Sequence, residues 1–392
     1  MNEPIRVLEL RSVRGTGGGP EKTILLGAAR SDPARFAVTV CYLRDARDDV
    51  FSIDDKAATL PIDYVEIVEK HSFDPSIWGK LRRLIRERRI DIVHAHDYKT
   101  NLLAWLLAHR ERVTALSTVH GWTGRSQRER WVYYPCDKRV LARFPRLIAV
   151  SCDIGRELVR GGARPDRVVT VLNGIDHRTF RRDRSRQPSI RRALGLSQAD
   201  IVIGAVGRLE VQKRFDLLID AFAELRAKHP KLVLLIAGDG SQHDALRRQA
   251  SRLGVEDTCR FLGHRSDLVD LHHVFDLFVQ SSDYEGTPNA VLEAMALETP
   301  VVATDVGGTS ELMRNRIDGF IIPPGNHAAL VGAIAAALAA PEAAASFADE
   351  ARRRVETTLS FEARMAAVED VYTELHQQRR AIGSAPAIRA RA

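Results

Sequence analysis

The sequence predicts an α/β protein of two doubly wound domains, each a mostly parallel sheet with helices on both faces. Three observations lead there. Short apolar runs alternate with stretches of helical periodicity along most of the 392 residues. These runs are mostly solid rather than alternating, as strands covered on both faces require. The alternation breaks once, at a polar Arg-rich stretch, and then begins again.

In the first half the strand candidates are 5–10, 36–43, 62–67, 90–95, 113–118, 147–150 and 168–172, with helices expected between them, for example at 21–29, 77–88, 101–109 and 152–160. These define a first Rossmann-like domain at residues 1–176. Residues 177–197 are rich in Arg, Asp, Ser, Gln and Pro and read as a linker. A second Rossmann-like domain, 198–360, repeats the pattern. Its strands are expected at 201–206, 232–237, near 261, 274–279, 301–304 and 320–322. Its helices are expected at 215–228, 243–253, 288–297, 310–314 and 328–340. A last helix is expected at 361–380, and residues 381–392 read as a disordered tail.

Composition narrows the class. With 45% hydrophobic residues, the chain has apolar material for two cores. The residues Met1 to Pro4 lead straight into a strand, so no signal peptide is expected, and the densest apolar run, 102–108, is too short to span a bilayer. Cys41, Cys136, Cys152 and Cys259 are scattered without a CxxC pair, which argues against a zinc site or a disulfide framework. A cytoplasmic protein is expected. The net charge of +7 favours an anionic partner. The basic segment 77–89 has Ile77, Trp78, Leu81, Leu84 and Ile85 on one side, so it reads as a solvated face or as peripheral contact with an anionic membrane. No aromatic platform or DNA-reading motif accompanies it, and no nucleic acid is expected.

Ligands of doubly wound sheets bind beyond the carboxyl ends of the strands. After the first strand comes Arg14-Gly15-Thr16-Gly17-Gly18-Gly19-Pro20-Glu21-Lys22, which reads equally as a flexible turn and as a backbone cradle for an anion. It matches neither a dinucleotide fingerprint nor a Walker loop. His94 and His96 share a face of the fourth strand; with no third ligand in view, they read as structural or cleft-lining rather than metal-binding. His120 ends the fifth strand before Gly121, placed to touch a ligand or to be satisfied by backbone. Asn173-Gly174 reads chiefly as turn chemistry. In the second half Arg208 and Lys213 follow a strand and precede a helix, a seat for a diphosphate. The loops holding Gly238-Asp239-Gly240 and His264-Arg265 also follow strands.

The stretch with most chemistry is 281–296. A polar loop with Glu285 leads to Thr287 as expected N-cap and Pro288 as the first helical residue, and Glu293 lies about a turn and a half into the helix. Unpaired N–H groups suit phosphate and carboxylates suit hydroxyls, and a phosphorylated sugar offers both.

Glu285 and Glu293, seven residues apart within Glu285-Gly286-Thr287-Pro288-Asn289-Ala290-Val291-Leu292-Glu293, resemble the signature of family-four glycosyltransferases of the GT-B fold. The Gly17–Glu21 loop, Thr118–Gly121, Val150-Ser151, Asn173–Asp176, Gly207-Arg208 with Lys213, Ala237–Gly240 and Gly307–Glu311 agree with it in order and spacing. The resemblance implies two facing Rossmann-like domains with a cleft between them. It implies retaining transfer of a sugar from a nucleotide diphosphate sugar, UDP- or GDP-linked, to a glycan, lipid-linked or small-molecule acceptor, in polysaccharide or glycoconjugate biosynthesis. Arg208 and Lys213 would bind the diphosphate and Glu293 the ribose. Glu285, with the N–H groups of Gly286, Thr287, Asn289 and Ala290, would lie against sugar and phosphate. His120 would contact the sugar from the acceptor-side first domain, Gly18 and Gly19 would approach the diphosphate, and His264 and Arg265 would face the base. His120 and Glu285 are the implied catalytic groups. The final helix would cross back to the first domain. With the nucleotide sugar as co-substrate and no DxD triplet in the chain, no metal or other cofactor is expected. A nucleotide-sugar epimerase and a non-catalytic nucleotide-sugar-binding protein are the alternatives.

Overall fold

The computed structural model describes residues 3–13, 15, 17, 19–71, 74–122 and 127–384. The chain divides into two compact units, one of Met1–Val171 with Met365–Ala392, the other of Leu172–Arg364.

The strands of the first unit are β1 (Ile5–Val13), β2 (Phe36–Asp45), β3 (Asp63–Glu69), β4 (Ile92–Ala95), β5 (Thr114–Val119), β6 (Arg146–Ala149) and β7 (Val168–Thr170). Among the described residues they form one parallel sheet in the order β3-β2-β1-β4-β5-β6-β7. Growth of the sheet reverses between β1 and β4, which makes that edge the topological switch point where such folds bind ligands. One face of the sheet buries Leu8, Leu10, Val93 and Ala95 against Leu81 and Ile85 of helix Ser76–Glu87 and Ala104 and Leu107 of helix Tyr98–Arg110. On the other face Val7, Ile92, Leu116 and Ile148 pack against Val368, Val371, Tyr372 and Leu375 of helix Phe361–Ser384. The last helix thus supplies a layer of the first unit from the far end of the chain.

Strands β8 (Ile201–Val206), β9 (Leu232–Ala237), β10 (Cys259–Phe261), β11 (Leu277–Gln280), β12 (Val301–Thr304) and β13 (Phe320–Ile322) build the second unit's parallel sheet, in the order β10-β9-β8-β11-β12-β13 among the described residues. Its switch point lies between β8 and β11. Helices Phe215–Arg226 and His327–Ala339 cover one face, burying Leu218, Phe222, Leu330 and Ile334, and helix Asn289–Ala296 covers the other with Val291, Leu292 and Met295.

Four expectations need correction. The stretch 177–197 is not a spacer: it folds onto the second unit, with a helix at Gln187–Ala193. Two of its arginines are not solvated. Arg182 donates to the carbonyls of His273, Phe275, Leu297 and Glu298, and buried Arg191 donates to those of Ser197 and Asp200. The last helix runs to Ser384, so it takes in the start of the expected tail; residues 385–392 lie outside the described residues. Helices Ile53–Ala58, Tyr134–Leu141 and Pro341–Thr357 were not anticipated, being short or Ala- and charge-rich without a clear apolar stripe. Finally, the apolar side of the basic helix is turned inward. Ile77, Leu81, Leu84 and Ile85 are buried in the core, while Arg82 and Arg86 pair with Glu111 and Arg88 with Asp63. That apolar stripe is the core-facing side of an ordinary amphipathic helix and offers nothing to a membrane. Among the described residues no single helix is long and apolar enough to cross one. The bent pair His327–Ala339 and Pro341–Thr357 is apolar enough by composition, but its Leu330, Ile334 and Ala348 are buried within the second unit.

Candidate functional site

The second unit gathers its polar groups at the β8/β11 switch point. Past β8 the chain makes a short turn, Val211–Lys213, and Arg214 takes a left-handed conformation (φ 49°) before helix Phe215–Arg226 begins. The hydroxyl of Ser281, just past β11, donates to the carbonyls of Lys213 and Arg214 at 2.9 and 3.0 Å, and Asp283 N–H donates to Gln212 at 2.8 Å. These bonds tie the loop after β8 to the loop after β11. They bring Lys213 Nζ to 2.5 Å from Glu285 Oε1, with both side chains largely buried.

The Glu285 carboxylate is held from several sides. The same oxygen accepts from the Ser282 hydroxyl at 2.7 Å and from the Gln280 amide at 3.3 Å. Gln280 is itself oriented, since its carbonyl oxygen accepts from the N–H and hydroxyl of Thr304 at 3.1 and 3.2 Å. Behind the loop stands Gly307 (φ +55°), where a Cβ would lie 2.1 Å from the carbonyl oxygen of Glu285 and 2.5 Å from that of Gly286; Gly308 N–H donates to Gly286 at 2.6 Å. Only glycine permits that approach. Ser282, Gln280, Thr304 and Gly307 were not assigned these roles from sequence, because the bonds join β11, β12 and two loops.

A cavity at this point is lined by Lys213, Gln280, Glu285, Pro288, Asn289 and Ala290, among others. The helix beside it starts one residue later than expected: Pro288 is its N-cap and Thr287, expected in that role, is buried just before it. Proline satisfies no N–H as a cap, so no side chain closes this end. The N–H groups of Asn289 and Ala290, in the first turn, have no acceptor within the helix. Oδ1 of the Asn289 side chain accepts from Nδ2 of Asn173 at 3.0 Å, so the Asn-Gly turn also supports this helix start. Glu293 lies half-buried in the same helix.

Arg208 is exposed just past β8. Gly207 beside it lies against the Lys213 stem, which a built Cβ would touch at 3.4 Å. His264 is exposed in the loop after β10. Arg265 in that loop is paired with Asp267, Nε to Oδ1 at 2.8 Å and Nη2 to Oδ2 at 2.5 Å; this bidentate bond raises the guanidinium's pKa and engages the group within its own loop. The structure thus brings Lys213, Glu285, Asn289 and Ala290 together around one cavity.

The first unit has its own cluster at the β1/β4 switch point. Glu9 of β1 is in register with His94 of β4, and alternation places His96, Thr118 and His120 on the same face. His94 is fully used: Nδ1 meets the Tyr372 hydroxyl at 2.8 Å and Nε2 the Thr118 hydroxyl at 2.7 Å. Glu9, His94 and His96 have the donor atoms of a metal site within 4.8 Å of one another, but both His94 nitrogens already serve hydrogen bonds. Burial alone would raise the Glu9 carboxyl; its interactions with His94 and His96 outweigh that and hold Glu9 well below the usual carboxylate range. His120 follows β5, at a turn where Gly121 has φ +102° and Trp122 donates to Asp137 at 2.9 Å. Gly19 opens helix Gly19–Arg30, whose buried Glu21 accepts from Arg11 at 2.5 Å. Gly18 lies outside the described residues.

Residues 17–179 match the model of Glycosyltransferase Family 4 and residues 186–354 that of Glycosyl transferases group 1. The chain is 30% identical over 333 residues to a putative glycosyltransferase EpsD of Bacillus subtilis (strain 168), covering 80% of this chain and 86% of that one. It is 32% identical over 305 residues to a glycogen synthase of Mycobacterium tuberculosis (strain ATCC 25618 / H37Rv), covering 75% and 71%. Among solved structures it resembles Anabaena Alr3699/HepE in complex with UDP, with a TM-score of 0.82 at 22% identity over 94% of this chain and 100% of that one.

Proposed function

The chain belongs to the family-four type of glycosyltransferases with the GT-B fold, and we propose that it transfers a sugar with retention from a nucleotide diphosphate sugar to a hydroxylated acceptor. The observation that carries the reading is the Lys213–Glu285 pair, 2.5 Å apart, beside the uncapped start of helix Asn289–Ala296.

Breaking the bond between a sugar and a diphosphate develops negative charge on the diphosphate. Groups already placed around that charge accelerate the step more than groups that merely hold the sugar. In this reading Lys213 and Arg208 take the diphosphate oxygens, together with the N–H groups of Asn289 and Ala290. An ammonium has three donors, so Lys213 can keep Glu285 while reaching a phosphate. Glu285, fixed by Ser282 and Gln280, accepts from sugar hydroxyls, and Glu293 from the ribose. His120 touches the sugar from its own unit, Gly18, Gly19, Gly286 and Thr287 offer backbone to the donor, and His264 and Arg265 face the base. The charge the leaving group needs is available from protein groups, so the proposal includes no metal.

UDP-sugars are the first donors to test, because structures of the HepE neighbour hold UDP and UDP-glucose. A glycan acceptor, in polysaccharide assembly, is supported by the similarity to a glycogen synthase, and a lipid-linked acceptor is the second candidate to assay. The relatives named above are transferases rather than epimerases. The test is a panel of nucleotide sugars scored by thermal shift, the best donor then being assayed for nucleotide release with candidate acceptors. Glu285→Ala and Arg208→Ala should each nearly abolish transfer; full activity in either overturns the assignment.

A further inference from the structure

Three side chains of the first unit form a hydrogen-bonded line, and two of them, Glu9 and His96, have no part in the donor chemistry assigned so far. An oxygen of Glu9 contacts Nε2 of His96, and Nδ1 of His96 lies 3.4 Å from Nε2 of His120. The two imidazoles are stacked, with centroids 5.7 Å apart and planes 28° apart. The other Glu9 oxygen accepts from the Tyr372 hydroxyl at 2.7 Å, which fixes the carboxylate from the last helix. Arg11 donates to the carbonyl of His96 at 3.1 Å, which fixes that backbone as well.

The proton positions along this line follow from valence. A carboxylate only accepts, so Nε2 of His96 carries the hydrogen that points at Glu9. Burial first, with His94 and Arg11 adding, outweighs the opposing pull of Glu9 and pushes His96 down to about 4, so its ring is neutral near pH 7. A neutral imidazole protonated on Nε2 has a lone pair on Nδ1, and that lone pair can only accept. Nε2 of His120 must therefore donate, leaving Nδ1 as the acceptor edge of His120.

We propose that Glu9 and His96 are positioning residues that hold His120 in its Nε2–H tautomer and fix the plane of its ring for the transfer reaction. The inference rests on the reading that His120 meets the donor sugar. The logic is that of any functional histidine oriented through its second nitrogen. Here the orienting group is another histidine, itself oriented by a carboxylate.

Selective ¹⁵N-histidine spectra of the full chain read the tautomer without substrate. The wild-type protein should show His120 protonated on Nε2. Glu9→Gln, which keeps the size of the side chain, and His96→Ala, which removes the acceptor, should each give a mixture of tautomers. With the best nucleotide sugar, both variants should lose kcat by about ten- to hundredfold, as when supporting partners of ligating histidines are removed, with donor KM unchanged. A His120 spectrum or a kcat identical to wild type in the variants overturns the proposal. If His96→Ala fails to fold, Glu9→Gln decides alone. A wild-type protein that turns over no nucleotide sugar overturns the proposed function instead, and the tautomer measurement still decides whether the line exists.

Discussion

Lys213 Nζ and Glu285 Oε1 lie 2.5 Å apart although 72 residues separate them in sequence. The pair is mostly buried, and its geometry is set by Ser281 and Ser282, which tie one loop to the other. Its members are therefore expected to respond differently to substitution. In the proposed reaction Lys213→Ala removes the cation that would neutralise the leaving group and should lower kcat by about 10²–10³-fold, the scale for losing one preorganised charge-stabilising donor. Glu285→Gln keeps an acceptor for Ser282 but loses the charge facing Lys213. It should lower transfer while leaving the melting temperature closer to wild type than Glu285→Ala does. Nucleotide release and thermal melts measure both.

Gly307 should tolerate no side chain. An alanine there would combine left-handed backbone strain with a Cβ 2.1 Å from the Glu285 carbonyl oxygen. Gly254 has a similar φ of +67° but open space around a built Cβ, so it isolates the strain. Gly254→Ala should cost about 1 kcal/mol. Gly307→Ala should cost about 2–3 kcal/mol or displace the loop, and should lose transfer as well. Urea denaturation and nucleotide release together check the contrast.

His272 gives a pH signature. It is fully buried and its pKa is pushed down to about 3, first by burial and then by Arg182 and His273. An unfolded histidine titrates near 6.5. Below that pH the unfolded chain binds a proton that the folded chain refuses, so stability falls as pH falls from about 6.5 toward 3, by about 1.4 kcal/mol per unit. Above 6.5 both states are neutral and the group contributes no slope. His272→Asn keeps an acceptor for Thr299, which lies 3.4 Å from Nδ1, and removes the titration. The variant should gain on wild type at that slope between about pH 6 and pH 4 in urea melts. Asp137, raised to about 6 by burial, titrates in the opposite sense, but it is common to both proteins and cancels in the difference.

Chelation should leave transfer unchanged. Lys213, Arg208 and a helix start supply the positive potential in the proposed reaction, so rates in EDTA should equal those in added magnesium or manganese. A rate that collapses in EDTA and returns with the ion would assign the charge to a metal instead.

Much of the site was legible because its parts sit where chain order and position in the sheet coincide. Arg208, Lys213, Glu285, Asn289 and His120 each follow a strand, and a parallel sheet sends every strand's carboxyl end to one edge. Less legible were the partners that reach across strands. Gln280 and Thr304 touch because β11 and β12 are neighbours, and Gly307 matters because its loop lies against Glu285. The 177–197 stretch misled because Arg182 and Arg191, which bond carbonyls of the second unit, look, in composition, like the arginines beside them that face water.

By itself the sequence determined the two α/β units, the strands of each, and which strand-end loops carry the candidate site residues. Periodicity, capping residues and strand-end chemistry are local, and local properties are written along the chain. The tertiary structure alone decided how those groups are held. It set Glu285 against Lys213, Ser282 and Gln280, and it turned the apolar side of helix Ser76–Glu87 into the core. It also brought Tyr372 from the last helix onto Glu9, 363 residues away, beside His94 and His96. Such contacts depend on strand order and on which face of a sheet a helix covers, and no short window of sequence contains either.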